Sequence, residues 1–144
     1  MKEKKFINKC IDSNFVSSIG PFVDLFEKKI AKYTGAKYSI ACINGTSALQ
    51  ISLKLVGVKK GDEVIVPPLN MASTTFAVLQ VGATPIYADV DALTYQIDPS
   101  SIQTKISPKT KAIITVALFG LSPDMDEIMK LAEKSNIFVL EDNA

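Results

Sequence analysis

Apolar residues along the chain change period several times, and the changes mark its elements. Phe6, Ile7, Cys10 and Ile11 recur at helical spacing, which predicts an opening helix. Ser17-Ser18-Ile19-Gly20-Pro21 interrupts it. Phe22 to Tyr33 predicts a second, amphipathic helix, with Phe22, Leu25, Phe26, Ile30 and Tyr33 on one face. Lys28, Lys29 and Lys32 form its solvated side, and Gly35 is placed to end it. From there short apolar runs alternate with helical patterns. Strands are expected at Tyr38–Ile43, Glu63–Val66, Thr84–Ala88, Lys111–Val116 and Ile137–Leu140. Between them helices are expected at Thr46–Val56, at Asn70–Val81 with Asn70 as a cap, after Asp98-Pro99, and from Ser122-Pro123 to about Lys134.

Alternation of this kind predicts βαβ units and an α/β fold: a three-layer αβα arrangement around a mainly parallel sheet. Val64-Ile65-Val66 and Ile113-Ile114 are apolar without alternation, as strands covered on both faces should be. The sequence contains no low-complexity segment and no internal repeat.

Asn44-Gly45-Thr46-Ser47, between an expected strand and an expected helix, is where the pattern first meets chemistry. The first turn of a helix has unpaired N–H groups and the positive end of the helix dipole, which together attract an anion such as phosphate. Gly45 lets a ligand come close to the backbone, and the hydroxyls of Thr46 and Ser47 are two further donors. An ordinary helix cap, with Asn44 or Thr46 serving only its own helix, explains the same residues. Both readings stand on the stretch Asn44-Gly45-Thr46-Ser47-Ala48-Leu49 alone. In parallel sheets ligands bind beyond the carboxyl ends of strands. The Gly45 turn, the Asn70-Met71 region and Asp142 all follow expected strands. A phosphate site and a carboxylate at one edge suit a ligand with phosphate at one end and a cationic group at the other.

Composition narrows the chemistry. The 144 residues are 47% hydrophobic and 22% charged with a net charge of +1, so nothing favours nucleic acid or a membrane surface. The positive charge is all Lys; the sequence has no Arg, His or Trp. Neither a Ser-His-Asp nor a Cys-His site can be built from these residues, and there is no imidazole metal ligand. Cys10 and Cys42 lie too far apart for a metal or redox motif, and Cys42 is expected to be a small buried hydrophobe. Asp89 and Asp91 read as turn-formers after a strand and not as a metal pair. Asp124, Asp126 and Glu127 suit the first turn of a helix. No metal site is expected. Met1-Lys2-Glu3-Lys4-Lys5 is not followed by an apolar signal core, so a cytoplasmic location is expected.

An ordered series of short motifs resembles the DegT/DnrJ/EryC1/StrS family of sugar aminotransferases, pyridoxal-phosphate enzymes of fold type I. The series is Gly20-Pro21-Phe22-Val23, Asn44-Gly45-Thr46-Ser47-Ala48-Leu49, Gly61-Asp62-Glu63-Val64-Ile65-Val66-Pro67, Gly82-Ala83-Thr84-Pro85 and Asp89-Val90-Asp91. It continues through Ile97-Asp98-Pro99, Pro108-Lys109-Thr110-Lys111-Ala112-Ile113-Ile114 and Glu141-Asp142-Asn143-Ala144. The resemblance implies that Gly45, Thr46 and Ser47 hold the phosphate of pyridoxal 5'-phosphate and that Asp142 pairs with its pyridine nitrogen. A carboxylate there keeps the nitrogen protonated, so the ring can accept electrons. Met71 stands where the family usually has a ring that stacks on the cofactor. Sulfur–aromatic contact replaces stacking in part. Val116-Ala117-Leu118 stands where the family often has Val-His-Leu.

The resemblance further implies that residues 1–144 are the N-terminal part of the cofactor-binding large domain, with N-terminal helices over about 1–34. The Schiff-base lysine and the small C-terminal domain are then expected outside this sequence. None of Lys54, Lys59, Lys60, Lys109, Lys111, Lys130 or Lys134 is placed to fill that role. No catalytic residue is therefore assigned, and the 144 residues alone are expected to be inactive. The implied reaction moves an amino group, typically from glutamate, onto a nucleotide-linked keto-sugar for surface-polysaccharide or secondary-metabolite sugars, in a homodimer. A sugar dehydratase of the same family, with another residue in place of the lysine, is one alternative. The other is an α/β module that binds phosphate without chemistry.

Overall fold

The computed structural model describes residues 2–144. The chain divides into two units, one up to Cys42 and one from Ile43 to Ala144.

The first unit holds two helices, α1 (Lys2–Asp12) and α2 (Pro21–Thr34). Pro21 opens α2 at its first turn, and Gly35 closes it in the left-handed conformation at φ 75°. The rings of Phe6 and Phe22 meet edge-on with centroids 5.4 Å apart. No residue of α2 is buried; Leu25, Phe26, Ile30 and Tyr33 of its apolar face are all exposed.

The expected strand over Tyr38–Ile43 does not form. A strand exists only through a pairing neighbour, and among the described residues each of the four strands pairs only with the others. The amide of Ala41 instead donates to Oε1 of Glu27 at 2.8 Å. Tyr38, Ile40 and Ile43 are exposed, and Cys42 is half-buried with a free thiol, not the core residue expected.

The second unit is the α/β body. It contains α3 (Gly45–Leu55), β1 (Glu63–Val66), α4 (Ala72–Gln80), β2 (Thr84–Tyr87), α5 (Pro99–Lys105), β3 (Thr110–Val116), α6 (Met125–Ser135) and β4 (Phe138–Asp142). The strands are all parallel, in the order β2-β1-β3-β4. Alternate strand residues supply two cores. Val64, Val66, Ala112, Ile114 and Val116 pack with Leu49 and Leu53 of α3 and Ala77 and Val78 of α4. Ile65 and Ile113 pack with Ile102 of α5 and Ile128 and Ala132 of α6. The result is the expected three-layer arrangement: α3 and α4 on one face, α5 and α6 on the other.

Local chemistry sets the boundaries. Asp98 caps α5, accepting from the Ser100 amide at 2.9 Å, with Pro99 in the first turn. The matching expectation for Ser122-Pro123 is corrected. Asp124 is the cap of α6, accepting from the Glu127 amide at 3.1 Å, while the Ser122 hydroxyl turns to the carbonyl of Pro123. A carboxylate is the better acceptor for a first-turn N–H. Asn70 is likewise not the cap of α4, which begins after Met71; the Asn70 amide donates to Thr74 Oγ1 at 2.5 Å.

Leu53 is fully buried in α3 and Leu55, two residues on, is 74% exposed. Leu53→Ala should lower the unfolding free energy by about 2–5 kcal/mol. Leu55→Ala should change it by less than about 0.5 kcal/mol. Urea unfolding of both variants checks the assignment of that helix face.

Candidate functional site at the carboxyl edge

Strand order locates the edge where a ligand would bind. From β1 the chain moves through α4 to β2 on one side. It then returns across β1 through α5 to β3 and moves outward through α6 to β4 on the other. The winding direction therefore reverses between β1 and β3, and a crevice opens at such a point beyond the strands' carboxyl ends. The segments leaving these two strands are Pro67–Met71 and Ala117–Ser122. Asp142 is the last residue of β4, in register with Val116 at the end of β3.

Asp142 is half-buried, and its Oδ1 accepts from the amide of Ala144 at 3.2 Å. Its backbone carbonyl accepts from the amide of Ala117 at 3.0 Å, which ties the turn after β3 to the end of β4. Met71 is 75% exposed beside a cleft of about 380 Å³ lined also by Pro67, Asn70, Thr75, Phe76 and Tyr87. The hydroxyls of Thr75 and Tyr87 share a hydrogen bond of 3.1 Å across it. Sequence reasoning singled out neither; that they meet follows from the packing of α4 on β2.

Gly45, Thr46 and Ser47 form the first turn of α3. Asn44 caps that helix, its Oδ1 accepting from the Ser47 amide at 2.8 Å, so the cap reading of this stretch is correct for Asn44. The cap leaves other donors free. Among the described residues the amides of Gly45 and Thr46 and the hydroxyls of Thr46 and Ser47 have no partner. Apart from its chain neighbours and its own helix backbone, no atom lies within 4 Å of where a Cβ on Gly45 would stand, so this side of the turn is open to a ligand. The anion-site reading therefore survives the cap. The structure brings Met71 and Asp142 to one sheet edge. It places Gly45, Thr46 and Ser47 at the amino end of a helix that packs on α4 and β4. The cleft beside Met71 is not lined by Gly45, Thr46, Ser47 or Asp142.

The lysines lie elsewhere. Lys59 and Lys60 precede β1, Lys109 precedes β3 and Lys111 is the second residue of β3, all toward the amino edge. Lys54 lies in α3, and Lys130 and Lys134 are exposed on α6.

The turn after β3 has an unusual backbone. Phe119 takes the left-handed conformation at φ 57° and ψ 22°, and its side chain is 88% exposed. For a bulky residue this conformation costs on the order of 1–3 kcal/mol. Gln96, only 4% exposed, donates from Nε2 to the Leu118 carbonyl at 3.0 Å, and its Oε1 is buried with no partner among the described residues. Neither residue stands out in the sequence, because Leu118-Phe119-Gly120 gives no sign of a left-handed Phe.

Asp91 has the structural role expected. Its Oδ1 accepts from the amides of Thr94 at 2.8 Å and Leu93 at 3.0 Å and from the Thr94 hydroxyl at 3.0 Å. No metal-binding cluster occurs among the described residues, and none of their helices is long and apolar enough to cross a membrane.

The family model for DegT/DnrJ/EryC1/StrS aminotransferases matches residues 1–144. The chain belongs to the DegT/DnrJ/EryC1/StrS aminotransferase family. GDP-perosamine synthase of Escherichia coli O157:H7 is 44% identical over 143 residues, which are 99% of this chain and 39% of that protein. The X-ray structure of an aminotransferase from Psychrobacter cryohalolentis superposes with a TM-score of 0.94 at 39% identity, covering 98% of this chain and 36% of the other. A GDP-4-keto-6-deoxy-D-mannose-3-dehydratase of E. coli, solved with bound hydrated PLP, superposes at 0.90 with 33% identity, covering 99% of this chain and 38% of the other. This chain thus spans well under half the length of the relatives it matches.

The hydrogen bonds to Asp91 set a pH dependence. The Thr94 amide, then the Leu93 amide and the Thr94 hydroxyl, hold its carboxyl below the ordinary value of 3.8. A lowered folded-state value stabilises the fold above the unfolded value and ceases to do so as pH falls through the folded one. Asp91→Asn should therefore lower the urea midpoint near neutrality, and the gap to wild type should close as pH falls below 3.8. A gap that widens in acid would show that the carboxylate does not hold this turn.

Proposed function

We propose that the protein is a pyridoxal-phosphate-dependent enzyme that moves an amino group onto a nucleotide-linked keto-sugar, with glutamate as the donor. What supports this reading is that the first turn of α3 carries unused donors and the carboxyl end of β4 carries a carboxylate, on two elements that pack together. Those groups fit the two ends of pyridoxal phosphate. The amides of Gly45 and Thr46, with the hydroxyls of Thr46 and Ser47, would hold the phosphate. Asp142 would hold a proton on the ring nitrogen through a charge-assisted hydrogen bond. Met71 would cover the ring by sulfur–aromatic contact. Bound there, the cofactor supplies an electron sink for the carbon that loses its proton. The part these residues play is to bind, to orient and to fix one protonation state.

Residues 1–144 are read as part of the cofactor-binding large domain. None of the lysines of the second unit stands at the carboxyl edge, so the group that moves the substrate proton is assigned to none of them. The relatives' names support a nucleotide sugar as substrate and the synthesis of surface polysaccharide as the setting. A cytoplasmic homodimer is the accompanying expectation. A second reading, sugar dehydration, is supported by the likeness to the E. coli dehydratase. The two differ in whether a lysine bonds the cofactor, which borohydride reduction and peptide mapping of the loaded protein would reveal.

Two substitutions in the cofactor-loaded protein separate the roles. Thr46→Ala removes a hydrogen bond to a charged phosphate, on the order of 1.5–3 kcal/mol, and should weaken cofactor affinity with little loss of turnover at saturation. Asp142→Ala should do the reverse, keeping most of the affinity and losing turnover, because its charge matters most as negative charge develops in the ring. Cofactor titration by absorbance and turnover at saturation measure both. Normal saturated turnover in Asp142→Ala would make Asp142 a structural carboxylate.

A further inference from the structure

Two unfavourable features converge on the turn after β3. Phe119 holds a left-handed backbone that Gly or Asn would adopt with less strain, and it exposes nearly its whole ring. Gln96 keeps Oε1 buried without a partner while its Nε2 grips the Leu118 carbonyl. Strained backbone persists only where its surroundings over-determine it. Here they do so. The Ala117 amide is tied to the Asp142 carbonyl, the Gly120 amide to the Ala117 carbonyl at 3.0 Å and the Leu121 amide to the Leu118 carbonyl at 3.2 Å. With the grip of Gln96, four hydrogen bonds fix a five-residue turn whose central residue contributes little to the core.

What the turn accomplishes is display. It leaves β3 at the reversal of strand order, beside the end of β4 that carries Asp142, and presents an exposed aromatic ring on a hydrogen-bonded backbone. An exposed ring on a fixed backbone suits a flat partner, since stacking buries its face and the turn need not rearrange.

From this we propose that Phe119 is a substrate-binding residue, stacking on a ring face of the nucleotide sugar, with Gln96 as its positioning residue. The inference rests on the nucleotide-sugar reading above and adds to it the residue that contacts the substrate. Base and hexose both present such a face, the base through its π-system and the sugar through its axial C–H side.

The test is calorimetric titration of the cofactor-loaded protein with two sets of probes. GDP, UDP and dTDP form the nucleotide arm, and mannose 1-phosphate and glucose 1-phosphate the sugar arm. Phe119→Gly should weaken at least one probe that wild type binds by about fivefold or more, a modest value for aromatic stacking. Loss in the nucleotide arm assigns the ring to the base, and loss in the sugar arm to the hexose. The melting temperature should not fall, because Gly relieves the backbone at this φ. Gln96→Met should weaken the same probe, but add nothing in the Phe119→Gly background, which a merely structural Gln96 would not do. Affinities within about twofold of wild type for every bound probe would overturn the proposal. So would a change of oligomeric state in Phe119→Gly with affinity unchanged, since the ring would then face another copy. If wild type binds no probe in either arm, the nucleotide-sugar reading fails first and this proposal falls with it.

Discussion

A parallel sheet must be covered on both faces, and the central strands β1 and β3 meet that constraint residue by residue. Val64 and Val66 face one helix layer while Ile65 faces the other; Ala112, Ile114 and Val116 alternate with Ile113 in the same way. All of these except Val116 are fully buried, and Val116 is nearly so. Everything functional depends on this sandwich. Because the strands are parallel, their carboxyl ends gather at one edge. Because the covering helices lie on opposite faces, the winding reverses between β1 and β3 and leaves that edge open.

The edge differs in character from the body beneath it. The body is apolar and regular. The edge carries an exposed Met71, a half-buried carboxylate on Asp142 and a strained turn at Phe119. Sites of this kind are held by structure that would not form them unaided. The bond from the Ala117 amide to the Asp142 carbonyl joins two of the three features, so the strained turn and the carboxylate share one frame. The amino end of α3 has a similar logic. Asn44 spends its side chain on the Ser47 amide and leaves the two amides before it unpaired. Every helix start leaves such amides unpaired; what this one adds is two free hydroxyls beside a glycine with open space around it.

Burial made the α/β body legible in the sequence. Val64-Ile65-Val66 and Ile113-Ile114 allow hardly any reading except strands covered twice, and Asp98-Pro99 marks a helix start that forms as expected. Tyr38–Ile43 misled because its apolar residues look the same whether or not a pairing strand is present. Ser122-Pro123 misled because Asp124, two residues after Ser122, offers a stronger acceptor for the same helix. At the site, Gly45, Thr46, Ser47 and Asp142 stood out by residue type and position. Phe119 and Gln96 did not, since a left-handed Phe and an orphaned amide oxygen arise from tertiary contacts and leave no local signature.

The proposed cofactor site requires Asp142 to hold a proton on the pyridine nitrogen while Gly45, Thr46 and Ser47 hold the phosphate. The most direct measurement is the ¹⁵N chemical shift of pyridine-labelled pyridoxal phosphate bound to the protein, in wild type and in Asp142→Asn. A protonated pyridinium is expected in wild type, persisting above the pH at which the free cofactor loses that proton, and a neutral nitrogen in the variant. A neutral nitrogen in wild type, or the same shift in both proteins, would contradict it.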